Sequence, residues 1–128
     1  MENQVREALF AQAARREAAK NEKKLFDFPG VGKLEFVKLN DEKMLDLYSD
    51  MMDSQNSREL PVILSGLIYD CCPALHDKEL LDALGIFSPP DVVFKLMNLK
   101  QVNVLGTQIL TWNGIGLDDN SFEDAVKN

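Results

Sequence analysis

The sequence predicts a mainly α (α+β) domain with a small N-terminal β-hairpin, and three observations lead to this fold class. Apolar residues recur at helical spacing through most of the chain, one short stretch near residue 30 alternates with period two, and glycine or proline separates the segments. The chain has 128 residues, 45% of them apolar, which suffices for one core without disulfide or metal support. We therefore expect a hairpin packed on a bundle of about five short helices, preceded by a separate N-terminal helix.

The first predicted unit, residues 1–24, is an alanine- and charge-rich helix. It contains six alanines and neither proline nor glycine between residues 2 and 24. Its large apolar side chains are only Val5, Leu9 and Phe10. Such a helix has little to bury, so we expect it to be separate from the domain of residues 25–115.

A β-hairpin is predicted over residues 24–38. Phe26 and Phe28 alternate with polar residues before a Pro-Gly turn, and Leu34 and Phe36 alternate after it. Alternation with period two on both sides of a turn is typical of two antiparallel strands.

The next two segments are predicted helices. Asn40 is a suitable N-cap for a helix that starts at Asp41, because its side chain can accept from a free amide of the first turn. A third helix covers residues 58–72, and Pro73 ends it. Gly66, in the middle of this helix, is interpreted as the point where a neighbouring helix approaches closely.

Three shorter helices complete the predicted bundle. Asp77 caps a helix over residues 78–84, which Gly85 ends. From Val92 onward the apolar positions form two stripes that are rotated away from each other, which predicts two helices meeting near residues 98–101. Residues 116–128 are predicted to be an acidic flexible tail.

The charge distribution argues against nucleic acid as a partner. Residues 1–38 carry eight basic and six acidic side chains, whereas residues 39–128 carry six basic and fifteen acidic ones. The larger part of the chain would repel phosphates, which supply most of the affinity for nucleic acid.

No apolar run approaches the roughly 20 residues of a membrane span, and the N-terminus lacks the apolar region of a secretory signal. We therefore expect a cytoplasmic protein without a membrane partner.

No combination of residues predicts catalysis, a metal or a cofactor. Cys71, Cys72 and His76 are the only soft metal ligands, and adjacent cysteines point about 100° apart on a helix. A cysteine inside an apolar helix is expected to be an unreactive core thiol. The sequence thus predicts a binding protein, not an enzyme.

The predicted partner surface is the apolar face of the helix that starts at Asp41. Methionine fills irregular gaps in cores and also serves surfaces that adapt to varied partners, so both interpretations of this face remain open. The residues predicted to contact a partner are Met44, Tyr48, Met51 and Met52. If these are core, the surface is expected on the last two helices, around Val93, Met97 and Leu105.

A longer pattern resembles the C-terminal half of the XkdN-like phage tail assembly chaperones. The residues that carry the resemblance are Pro73, Leu75, Glu79, Leu80, Asp82, Gly85, Lys95, Leu105, Ile109, Asn113 and Gly114. The preceding hairpin and acidic helix look similar as well, so the resemblance covers roughly residues 25–115.

The resemblance implies a function in virus assembly. A member of this family would act in the host bacterial cytoplasm and would be missing from the mature virion. It would bind the apolar tape measure protein while the tube polymerises. The tail tube protein and further copies of the chain itself are the additional candidate partners. A small structural or adaptor subunit of a phage tail or similar assembly is the alternative.

Overall fold

The structure is a computed structural model, and it describes residues 2–20, 22–53 and 58–115. Its elements in chain order are α1 (Asn3–Ala19), β1 (Lys23–Phe28), β2 (Gly32–Val37), α2 (Asp41–Asp53), α3 (Glu59–Cys71), α4 (Lys78–Ala83), α5 (Val92–Leu96) and α6 (Leu99–Trp112). Short 3₁₀ turns at Pro73–His76 and Pro89–Asp91 precede α4 and α5. The predicted fold class, mainly α with a small hairpin, is confirmed. The predicted tail over residues 116–128 lies outside the described residues.

The first helix is shorter than predicted. It ends at Ala19 and not at residue 24, because Lys23 and Lys24 pair with Val37 and Phe36 as part of the hairpin. The backbone N–H of Lys38 also donates to the Glu22 carbonyl at 3.1 Å, which continues this strand pairing beyond the ladder. No described side chain of α1 is buried.

The hairpin presents three phenylalanines to the core. Phe26, Phe28 and Phe36 are buried, and the Phe26 ring lies edge-on to Trp112 of α6 with 5.3 Å between ring centroids. The turn needs glycine, because Gly30 and Gly32 have φ angles of +78° and +112°. The predicted hairpin is therefore confirmed, and its three phenylalanines face the core.

Helices α3 and α6 form the centre of the bundle. A Cβ atom built on Gly106 of α6 would lie 2.7 Å from the Cβ of Leu64, so the two backbones approach closely at this point. The prediction that Gly66 marks the close approach is wrong, since nothing lies within 4 Å of a Cβ built there. Gly66 instead faces the gap between α3 and α2.

Local capping sets the ends of the later helices. The Asp77 carboxylate accepts from the Leu80 amide at 3.1 Å, and Gly85 follows α4 with a φ of +69°. Between α5 and α6, Asn98 and Gln101 cap each other's backbone amides at 2.9 Å. The predicted break near residues 98–101 is thus confirmed, and a capping box produces it without proline or glycine.

Candidate partner-binding surface

Helix α2 begins as its sequence predicts and docks on α3. The Lys43 amide donates to the Asn40 side chain at 2.8 Å, and Asp41 and Glu42 occupy the first turn. The one buried side chain of α2 is Leu47. Helix α3, and not the hairpin, is the main neighbour of α2.

The predicted apolar face of α2 divides into an inner and an outer part. Met44 and Met51 are half-buried, and Met51 packs against the core. Tyr48 and Met52 are exposed by 54% and 65%, and Leu45 beside them by 70%. Leu45, Tyr48 and Met52 lie within about 60° on the helix, so they form one continuous apolar strip, the α2 ridge.

The alternative partner surface predicted on the last two helices is buried in this structure. Val93, Met97 and Leu105 are buried in the core, because α5 and α6 turn their apolar stripes toward α3. No partner can reach these side chains without opening the bundle. The large apolar side chains that α5 and α6 expose are Phe94, Leu99 and Val104.

A groove separates α2 from α3 on the flank opposite the α2 ridge. Its volume is about 340 Å³, and Leu47, Ile63 and Leu67 line its apolar floor. Carboxylates of both helices also line it: Asp46, Asp50 and Asp70. The ammonium of Lys43 lies 4.0 Å from the Asp70 carboxylate. We call this feature the α2–α3 groove.

The two helices beside the groove are strongly acidic. Between them α2 and α3 carry seven carboxylates and one ammonium, a net charge of −6. This surface repels phosphates and attracts cationic side chains. The acidic residues at positions 46, 50 and 53 recur at helical spacing, so the sequence already contained a signal for this flank, although only the apolar face was singled out.

The two cysteines are core side chains. Both are buried, and burial raises the pKa of the Cys71 thiol to about 12, although a contact with the Asn113 side chain opposes part of that rise. Burial also raises the pKa of Cys72. Thiols that stay protonated at neutral pH are poor nucleophiles and poor metal ligands.

The only histidine has a local structural role. Its Nε2 lies 2.7 Å from the Tyr69 carbonyl oxygen, to which it can donate, and its ring stacks on Tyr69 with centroids 4.4 Å apart. Among residues 2–20, 22–53 and 58–115, no cluster of three or more histidine, cysteine or acidic side chains could hold a metal ion.

The chain was compared with known proteins at the levels of sequence and structure. No protein-family model, curated protein or solved structure matches it. Within the described residues, no helix combines the length and apolar character needed to cross a bilayer.

Proposed function

We propose that this protein is a tail assembly chaperone of a tailed phage or prophage, which binds the tape measure protein and keeps it soluble while the tail tube forms. The observation that carries the proposal is the α2 ridge. Three large apolar side chains are more than half exposed on a helix that also holds five carboxylates. Clustered apolar side chains on a charged helix are typical of a protein interaction site.

The ridge has the chemistry that a helical apolar partner requires. A tape measure protein presents long apolar helical stripes before assembly, and a helix can recognise such a stripe through side chains spaced by three or four residues. Leu45, Tyr48 and Met52 follow this spacing. Met52 is flexible and adapts to stripes that are not identical, while the tyrosine ring adds area at low entropic cost.

The contact also has to be reversible, because the tube displaces the chaperone. The ridge is far smaller than the interfaces of about 1,600 Å² that hold stable complexes together. Several chaperone copies along one tape measure protein would each bind weakly and leave easily. The surrounding carboxylates keep the loaded complex soluble by mutual repulsion.

The proposal is tested by co-expression with the tape measure protein of the phage or prophage that encodes this chain. Met52→Asp should lower co-purification of that protein by at least about tenfold, which corresponds to about 1.4 kcal/mol. Val104→Asp is the matched control, since it places the same charge on another exposed apolar position, on α6. Equal co-purification with both variants contradicts the role of the ridge.

The two adjacent methionines at the end of α2 are not equivalent in the folded chain. Met51 packs partly against the core, so Met51→Asp is expected to lower the melting temperature. A loss of partner binding by this variant would therefore not distinguish a lost contact from unfolding. Met52→Asp leaves the core untouched and should leave the circular dichroism spectrum and melting temperature nearly unchanged.

Mass spectrometry of purified virions separates the chaperone from the alternative, a small structural or adaptor subunit of the tail. A chaperone is missing from mature particles, whereas a structural subunit is present in a fixed copy number. Detection of this chain at a fixed ratio to the tube protein therefore overturns the proposal.

A further inference from the structure

Helix α1 is an unpartnered element of the described structure. It has 17 residues, none of them buried, and Val5, Leu9 and Phe10 are all exposed. In proteins, most of the stability of a helix comes from packing against other elements and not from helix propensity alone. Its contacts with the domain include ion pairs from Arg16 and Lys20 to Asp41, both between exposed side chains and therefore weak. Packing against a further surface would therefore stabilise this helix.

The residues of α1 do not suit an ordinary apolar interface. At 100° per residue, Val5, Leu9, Ala13 and Phe10 lie within an arc of about 140°. The same arc contains three cations and two carboxylates: Arg6, Arg16, Lys20, Glu2 and Glu17. Glu17 pairs with Lys20 at 3.2 Å, which leaves the two arginines as the excess positive charge of this face. Buried arginines without carboxylate partners would be costly on an apolar surface. A receiving surface for this face must therefore offer both apolar contacts and carboxylates.

The α2–α3 groove meets both requirements. Its floor is apolar and carboxylates of Asp46, Asp50 and Asp70 line it. A helix of 17 residues is about 25 Å long, and α2 with 13 residues is about 20 Å long, so α1 can lie along the whole groove. The acidic sequence of residues 116–128 is the wrong occupant, because its charge has the same sign as the groove.

We infer that α1 of one copy of this chain docks in the α2–α3 groove of a second copy. Leu9 and Phe10 contact the apolar floor, and Arg6 pairs with a groove carboxylate. Arg16 exchanges its exposed pair with Asp41 for a second groove carboxylate. A reciprocal exchange of helices between two copies closes the assembly as a symmetric dimer. This inference does not depend on the proposed function, since the groove and the α2 ridge lie on different flanks of α2.

A charge-swap experiment tests the inference. The helix variant carries Arg6→Glu and Arg16→Glu, and the groove variant carries Asp46→Lys and Asp50→Lys. Sedimentation equilibrium should show self-association of the unmodified chain, and each variant alone should associate at least about tenfold more weakly. An equimolar mixture of the two variants should associate again, because both helix-to-groove contacts then join opposite charges.

Two controls keep the outcome unambiguous. Glu42→Lys makes the same charge change on α2 outside the groove and should leave association unchanged. Circular dichroism and thermal melting must show that every variant is folded. A chain that sediments as a monomer at all concentrations, or a mixture that does not associate, overturns the inference. Failure of tape measure binding leaves it unaffected, so the two proposals fail separately.

Discussion

The side-chain oxygen of Asn113 accepts a hydrogen bond from the backbone amide of Leu39 at 3.0 Å, across 74 residues of sequence. The same side chain donates to the Ile109 carbonyl at 2.9 Å, and its nitrogen lies 3.8 Å from the Cys71 sulfur. One amide thus joins the exit of the hairpin to the end of α6 and to the end of α3. These three segments are held in register at a single point.

Replacing Asn113 is expected to destabilise the whole domain. Asn113→Ala leaves the Leu39 amide, which is partly buried, without its partner, and such a loss costs about 1–3 kcal/mol. Chemical denaturation should show a lower midpoint for this variant. Asn103→Ala on the exposed side of α6 is the matched control and should change the free energy of unfolding by less than about 0.5 kcal/mol. Equal effects of the two substitutions would show that the Asn113 bonds add nothing.

The two helical glycines of the central pair should respond to alanine with opposite signs. Gly66→Ala gains about 1 kcal/mol of helix propensity, and its new methyl group meets nothing within 4 Å. Gly106→Ala gains the same propensity but places its methyl group 2.7 Å from the Cβ of Leu64, and overpacking costs about 1–3 kcal/mol. The melting temperature should therefore be higher than that of the unmodified chain for Gly66→Ala and lower for Gly106→Ala. Stabilisation by Gly106→Ala would refute the close packing of α3 and α6.

These two glycines illustrate what the sequence could not predict. Helix ends depend on nearby residues, so Asn40, Asp77 and Gly85 were sufficient to predict caps and breaks. The close approach of two helices depends on which of their faces pack together. Gly66 and Gly106 both lie inside helices, and the sequence does not show which of them lies at the contact between α3 and α6. The sequence therefore predicted these helix caps and breaks correctly, but it did not predict which glycine lies where two helices pack closely.

The sequence predicted the apolar face of α2 but not which part of that face is exposed. The amphipathic pattern of α2 indicated an apolar arc of about 160°, but not which edge of the arc would dock. The structure buries the edge at Leu47 and exposes the edge at Leu45. The acidic groove needs α3 beside α2, so the sequence of α2 alone could not indicate it.

The buried thiols predict a loss of stability at high pH. In the unfolded chain the Cys71 thiol ionises near pH 9.0, whereas burial raises its pKa to about 12 in the folded chain. Between these values the unfolded state binds fewer protons than the folded state, so the free energy of unfolding falls as the pH rises. The slope contributed by this thiol approaches about 1.4 kcal/mol per pH unit.

A cysteine-free variant isolates the contribution of the thiols. Cys71→Ala with Cys72→Ala should be less stable at neutral pH, by up to a few kcal/mol, because it leaves cavities in the core. Its free energy of unfolding should fall less steeply above pH 9 than that of the unmodified chain. Identical slopes in denaturation curves measured from pH 8 to 11 would contradict the burial of the thiols.

The last prediction concerns where the N-terminal segment can be removed without loss of the fold. None of the side chains of residues 2–19 is buried, so deleting residues 1–19 removes none of the described core. The ion pair that the deletion breaks between Arg16 and Asp41 is exposed. The free energy of unfolding should fall by no more than about 1 kcal/mol, measured at a concentration where the unmodified chain is monomeric. Deleting residues 1–24 also removes Lys23 and Lys24, which pair with Val37 and Phe36, and cross-strand pairs contribute up to about 1 kcal/mol each.

The longer deletion is therefore expected to cost up to about 2 kcal/mol more than the shorter one. It also removes Glu22, whose carboxylate lies 3.0 Å from the Lys38 ammonium and whose carbonyl accepts from the Lys38 amide. Urea denaturation of both truncated chains measures the difference directly. If the shorter deletion already abolishes cooperative unfolding, α1 belongs to the core of its own chain, and the helix cannot be free to dock elsewhere.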